Sequence, residues 1–248
     1  MKKFIAISLL ILGIVVFAAV AFVVPSGEST QGDIVSNSST QTTPEAVSIT
    51  LPVAAQIEQP AEPAAVQEDT MVYVAMETTE GTMYIGLNET KAPITVANYL
   101  SYVDDGFYTD TVFHRVMKGF MVQGGGFAEG LKKKETKAEI KNEWQNGLKN
   151  MRGTLAMARL GRQPDSASSQ FFINLVDNPF LDQPRDGAGY AVFGHVVKGL
   201  DVLDAIGSVP TAPQGMHGDV PVDAIFIKSV TRLTPEQIEE LELAGAEG

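Results

Sequence analysis

The chain has 248 residues, a formal net charge of −12 and no cysteine, so it has no disulfide, no thiolate metal site and no cysteine nucleophile. Its acidity sits in two stretches without a basic residue: 25–69 (Glu28, Asp33, Glu45, Glu58, Glu62, Glu68, Asp69) and 234–248 (Glu236, Glu239, Glu240, Glu242, Glu247). The part between them is close to neutral and shows no basic footprint for nucleic acid.

Lys2-Lys3 precede an uncharged apolar run, Phe4 to Val24. At about 1.5 Å per helical residue this run spans the roughly 30 Å hydrocarbon core of a bilayer, so 1–24 is predicted to be a membrane anchor with its N-terminus inside. Ala19-Val20-Ala21 fits a cleavage site, so a cleaved export signal, with a secreted or periplasmic product, is the alternative. Either route puts the rest of the chain on the extracytoplasmic side. Residues 25–70 are rich in Ser, Thr, Gln, Ala, Pro and Glu and have no aromatic residue; they read as a disordered acidic linker.

The predicted folded part, 71–233, opens with two β-rich runs, Met71–Thr78 and Thr82–Leu87, joined at Glu80-Gly81 as a hairpin. Pro93 suits the first turn of a helix, and Val96, Leu100, Val103 and Phe107 recur on one helical face up to Asp105-Gly106. Short β-rich runs follow at Val112–Val116, Phe120–Gln123, Thr154–Ala158, Gln170–Leu175, Tyr190–Val197 and Ala224–Val230. A second helix is predicted over Leu200–Ile206, stopped by Gly207. Many short strands with two helices suggest a closed antiparallel barrel with helices over its ends. The tail 234–248 reads either as a short acidic helix or as a frayed end.

The familiar chemistries fit poorly. His114, His195 and His217 have no metal-ligand spacing, and Gly124-Gly125-Gly126 lacks the Lys-Ser/Thr of a phosphate loop. Ser166, Ser168 and Ser169 do not form a nucleophile elbow. No metal site emerges.

Five ordered segments carry a resemblance. Phe113-His114-Arg115 through Gln123-Gly124-Gly125-Gly126-Phe127 resembles the signature of the cyclophilins. Arg152–Arg159, Ser166–Asn174, Asp177–Asp182 and Tyr190–Gly194 follow in the family's order. Lys141-Asn142-Glu143 and Gly215-Met216-His217 are similar to its compact bacterial subgroup. The resemblance covers 71–232. It implies a mainly β fold, a closed eight-stranded antiparallel barrel capped by two α-helices, with the active face on the outside. It further implies a peptidyl-prolyl cis/trans isomerase that acts on proline-containing polypeptides as a monomeric domain, here during folding of exported proteins. The alternative is a non-catalytic module or holdase that docks proline segments.

X–Pro isomerisation crosses a barrier of about 18–20 kcal/mol set by amide resonance, and it needs only tighter binding of the twisted amide. The resemblance therefore implies no cofactor. It makes Arg115 and Gln123 catalytic: Arg115 holds the prolyl carbonyl, and Gln123 positions Arg115 and the substrate backbone. Phe120, Met121, Phe172 and Leu181 line the proline pocket. Ala158 and Arg159 offer backbone groups, and Gln170 supplies an amide. The chain departs from the family at three of its positions. Phe180 stands where many eukaryotic members have a Trp that binds cyclosporin. Tyr190 stands where many have His at the pocket rim, and Arg159 replaces a common Asn.

Overall fold

The computed structural model describes residues 68–183 and 186–243. The expected membrane segment, 1–24, and nearly all of the expected linker lie outside the described residues. Among the described residues no helix is long and apolar enough to cross a membrane.

The strands in chain order are β1 (Met71–Thr78), β2 (Gly81–Asn88), β3 (Thr111–Val112), β4 (Arg115–Met117), β5 (Met121–Gly124), β6 (Phe127–Ala128), β7 (Lys132–Lys133), β8 (Thr154–Met157), β9 (Phe171–Asn174), β10 (Val192–Lys198), β11 (Thr211–Gln214), β12 (His217–Pro221) and β13 (Phe226–Arg232). The helices are α1 (Pro93–Asp104), α2 (Leu200–Gly207) and α3 (Pro235–Glu240), with 3-10 turns at Glu129–Leu131 and Pro179–Asp182. Eleven strands form one antiparallel sheet in the order β4-β5-β9-β8-β10-β2-β1-β13-β3-β6-β7, and β11 and β12 form a separate ribbon.

The sheet curls. In the ladder β4 and β2 are five strands apart, or about 24 Å if the sheet were flat. The eight-residue helix α2, about 12 Å long, packs against β2, β4 and β5 together. The concave face holds one large core. It includes Met83 and Ile85 of β2, Val122 of β5, Leu155 of β8, Phe193 of β10, Tyr99 of α1 and Leu203 of α2, each fully buried.

The mainly β antiparallel architecture is as expected, but the eight-strand count is not seen in the ladder. Among the described residues the end strands β4 and β7 do not pair with each other. The count rises partly because the run Val112–Val116 is not one strand. Phe113 donates its N–H to Ile225 O (3.0 Å), and beyond it the chain leaves β13 and pairs with β5. The short pairs β6–β7 and β11–β12 carry no alternating apolar pattern, so periodicity could not find them.

Pro93 sits in the first turn of α1, as expected, but the N-cap Ala92 has no capping side chain. Glu143 supplies the cap from 48 residues downstream. Its carboxylate accepts the N–H groups of Ile94 (3.1 Å) and Thr95 (2.8 Å) and the Thr95 hydroxyl (2.6 Å). A carboxylate at these orphan donors is favoured by hydrogen bonding and by the helix dipole. The contact pins the long 134–153 connection to the sheet's helix. Of the two readings of the tail, its described part takes the helical one: α3 is short and closed by a Thr234–Gln237 capping box.

Candidate functional site

The site is built from one lateral row of residues across the sheet. Arg115 pairs with Gln123, Gln123 with Phe172, Phe172 with Ala156, and Ala156 with Val192. Directly paired residues share one face of a sheet. Their strand neighbours Val122, Ile173, Leu155 and Phe193 belong to the main core. Period-two alternation therefore puts the Arg115–Phe172 row on the outer face, the face expected from the resemblance.

On that face lies a second apolar cluster, separate from the core. It holds Met121, Ala156, Phe172, Leu181 and Val192, with Met117, Phe120, Leu148, Ala158 and Tyr190 packed against it. Every apolar residue expected to line the proline pocket is in this one group. Phe172 is the floor, 5% exposed. The Tyr190 ring meets it edge-on at 5.6 Å, and Phe120 stacks on Phe180 at 5.7 Å. Phe180 is 42% exposed, an open apolar rim beside the half-buried Phe120.

A ladder of buried amides holds this rim in place. Asn150 and Asn174 are fully buried, and Asn178 nearly so. Asn178 Nδ2 donates to Asn174 Oδ1 (2.8 Å) and to Phe120 O (3.1 Å); Asn174 Nδ2 donates to Asn150 Oδ1 (3.1 Å). Asn150 Nδ2 donates to Asp182 Oδ1 (2.8 Å). Leu181 donates its N–H to Asn178 O (2.9 Å), and Tyr190 donates its own to Leu181 O (3.0 Å). A satisfied network of this kind fixes one geometry. The pocket walls from β5, β9 and the Pro179–Asp182 turn are thereby locked together.

The polar side of the site differs from expectation. Gln123 faces Arg115 across β4–β5, but its Nε2 donates to Gln170 Oε1 (3.1 Å). Among the described residues no direct hydrogen bond joins Gln123 to Arg115. Arg115, half exposed, places Nη2 2.9 Å from Met117 Sδ and Nε 3.6 Å from Asp219 Oδ2. Gly126 makes the Gln123–Gln170 pair possible, because a methyl on it would lie 2.5 Å from Gln170 Cγ.

Arg159, expected to offer backbone groups, has its side chain engaged elsewhere. Its side chain is 2% exposed and committed to the loop ahead of β10. Nε donates to Gly189 O (3.1 Å), Nη2 to Asp186 Oδ1 (2.5 Å) and to Ala188 O, and the guanidinium lies 4.5 Å from the centre of the Tyr190 ring. The side chain is a clamp beneath the rim and offers no donor to a substrate. Arg159 holds the Asp186 carboxyl down at about 2, with the Arg162 N–H assisting, so the clamp stays charged through mildly acidic pH. The Ala158 N–H is likewise engaged, donating to Gln170 O (3.0 Å). The expected backbone offer from Ala158 is thus limited to its carbonyl.

His114, beside Arg115, is 3% exposed. Burial first, then the charges of His217 and Arg115, push its pKa down to about 4, against a hydrogen bond to the Val112 backbone that raises it. It is neutral at neutral pH. Its ring lies 4.6 Å from Phe127, and the ring of His217 meets Phe127 edge-on at 5.2 Å. The His114 ring is packed among aromatic rings, and its Nδ1 has no hydrogen-bond partner among the described residues.

Asp219 and the three buried asparagines did not emerge from the sequence. Asn174 had a signal: it closes the apolar run Phe171–Ile173, and a buried amide needs partners. Asp219 had none, because its neighbour on β4 is remote in sequence.

Residues 73–232 match the family described as cyclophilin type peptidyl-prolyl cis-trans isomerase/CLD. The chain is 56% identical over 157 residues to a peptidyl-prolyl cis-trans isomerase of Acinetobacter baylyi, covering 63% of this chain and 83% of that one. It is 54% identical over 161 residues to peptidyl-prolyl cis-trans isomerase B of Escherichia coli, covering 64% and 98%. A crystal structure of a Cryptosporidium parvum cyclophilin type peptidyl-prolyl cis-trans isomerase superposes with a TM-score of 0.55 at 27% identity, over 66% of this chain and 99% of that one.

Proposed function

The chain belongs to the cyclophilin-type peptidyl-prolyl cis-trans isomerase family, and we propose that it isomerises X–Pro bonds on the outer sheet face between Arg115 and the Phe172 pocket. The enzyme accelerates cis/trans exchange in proline-containing polypeptides. The observation that carries the placement is the row Arg115–Gln123–Phe172. It sets the Arg115 backbone about two strand spacings, roughly 10 Å, from that of Phe172, a span within reach of a long arginine side chain.

In this reading the proline ring sits on Phe172 and Met121, between Phe120, Leu181 and the Tyr190 ring. Terminal guanidinium nitrogens of Arg115 donate to the prolyl carbonyl. As the amide twists, conjugation is lost and the proline nitrogen becomes pyramidal. A fixed cation beside that nitrogen and carbonyl stabilises the twisted form more than either planar form. The Gln123–Gln170 amide pair borders the row and meets the backbone before proline, together with the Ala158 carbonyl. Phe180 extends the apolar rim. No proton is transferred, so the neutral His114 has a packing role and takes no part in the chemistry.

The full assignment places a membrane anchor at 1–24, a linker at 25–70, the isomerase at 71–233 and an acidic tail at 234–248, with the catalytic domain monomeric. The closed eight-stranded barrel is part of this reading, supported by the curl that lets α2 pack on β2, β4 and β5 together. Its site serves polypeptides folding outside the cytoplasm. The Lys2-Lys3 pair and the Phe4–Val24 run support this address. Mass spectrometry of the mature N-terminus tests the anchor: Met1 retained in a membrane fraction agrees with it, and a start just after Ala21 replaces it with a cleaved export signal. NMR exchange on an Ala-Pro peptide tests the activity itself; exchange no faster than in buffer would sink the enzyme reading.

A further inference from the structure

The role of holding Arg115 falls to a residue outside the main sheet. Asp219 of β12 places Oδ2 3.6 Å from Arg115 Nε. It is the one carboxylate paired with Arg115 among the described residues. The two side chains are 43% and 39% exposed, so the pair sits at the open side of the site. Gln123, which faces Arg115 in register, is bonded to Gln170 instead.

The ribbon that carries Asp219 is anchored for this. His217 and Asp219 alternate along β12 and so share one face. His217 meets the Phe127 ring at 5.2 Å and the His114 ring at 6.0 Å, and His114 directly precedes Arg115. Val220 and Pro221 are buried, which fixes the far end of the strand. The tip at Met216 stands fully in solvent. The ribbon thus fastens itself beside β4 through rings and places a carboxylate at the arginine.

We propose that Asp219 is a positioning residue for Arg115, holding the guanidinium by its Nε edge so that its terminal nitrogens meet the prolyl carbonyl. This inference rests on Arg115 being the catalytic residue. At 3.6 Å the contact is a charge pair rather than a hydrogen bond, so it restrains the side chain without occupying the terminal donors. Met117 Sδ, on Nη2, is a weak acceptor that a carbonyl readily replaces. An unrestrained arginine carries large rotamer freedom, which would have to be lost at each turnover.

The test uses the full chain purified in detergent, with kcat and KM for a proline peptide measured by NMR exchange. Asp219→Asn keeps the shape and removes the charge. Its kcat is expected to fall about three- to ten-fold with KM little changed, a range suited to a half-exposed pair aimed at the transition state. Asp219→Glu is expected to recover part of the loss. Near 1 M NaCl, where the screening length is about 3 Å, the gap between wild type and Asp219→Asn narrows. An Asp219→Asn kcat equal to wild type, or above it, overturns the proposal. So does a loss that is unchanged at high salt or that follows a matching fall in melting temperature, because a purely structural role would give that. Arg115→Ala is measured alongside. If it too is fully active, the assignment of Arg115 fails; if it is inactive while Asp219→Asn is not impaired, only the inference about Asp219 fails.

Discussion

Gly126→Ala tests the Gln123–Gln170 pair without substituting either glutamine. A methyl at Gly126 would lie 2.5 Å from Gln170 Cγ, 2.6 Å from Cδ and 2.7 Å from Nε2. Ordinary contacts are about 3.5–4.0 Å, so the Gln170 side chain must move by about 1 Å. The Gln123 Nε2 to Gln170 Oε1 bond, 3.1 Å long, cannot survive that shift. One neutral hydrogen bond contributes about 0.5–1.5 kcal/mol, or roughly a two- to ten-fold change in rate if the pair serves the transition state. The backbone of Gly126 is not left-handed, so alanine is tolerated there, and the lower entropy of the unfolded chain offsets part of the lost bond. A protease-coupled isomerase assay and a thermal melt on the same sample separate the two effects. The expected result is reduced kcat/KM with the melting temperature shifted by no more than about 5 °C. A wild-type rate would show that the Gln170 amide is not part of the site. Gly125→Ala is the contrast. Gly125 has φ +79° and its added methyl would lie 2.9 Å from Ser169 O, so that variant loses stability first.

Three further outcomes follow from the same geometry. Arg159→Ala removes the cation from the Tyr190 ring and the donors from Gly189 and Ala188; KM is expected to rise about two- to five-fold with kcat retained, as titration of a proline peptide would show. Glu143→Ala strips the donors of Ile94 and Thr95 at the start of α1 and is expected to cost about 1–2 kcal/mol in urea unfolding, with the isomerase rate of the folded protein unchanged. His114 has a folded pKa near 4, below its ordinary value of 6.5, so between those values the unfolded state binds the proton and the folded state does not. Stability is therefore full above about pH 6.5 and falls by up to about 3 kcal/mol on acidification toward pH 4. Urea midpoints should fall over that window in wild type and much less in His114→Gln.

The pocket was legible through the ordered segments that carry the resemblance. The resemblance named Phe120, Met121, Phe172 and Leu181, and the structure brings them into one apolar cluster. The polar half was not legible in the same way. The resemblance implied that Gln123 positions Arg115, yet Gly126 opens room for Gln170, and the amide donates there instead. Arg159 was expected to contribute backbone only, and its buried guanidinium turned out to organise the Tyr190 rim. Glu143 and Asp219 act over long sequence separations, where neither periodicity nor a local motif carries a signal. The hairpin β1–β2 and helix α1 stand close to where they were expected, because a Gly turn and an N-terminal proline mark their boundaries. The short strands β6 and β7 do not, since two-residue pairs have no period to read.

The central claim is that Arg115 lowers the barrier to rotation by binding the twisted amide. The most direct measurement is the cis/trans exchange rate of an Ala-Pro peptide with wild type and with Arg115→Ala, at matched folded fractions from thermal melts. The account predicts a loss of about 100-fold or more in kcat/KM with the fold intact, the scale of removing one preorganised donor from a developing charge. A variant that stays within about two-fold of wild type would contradict it.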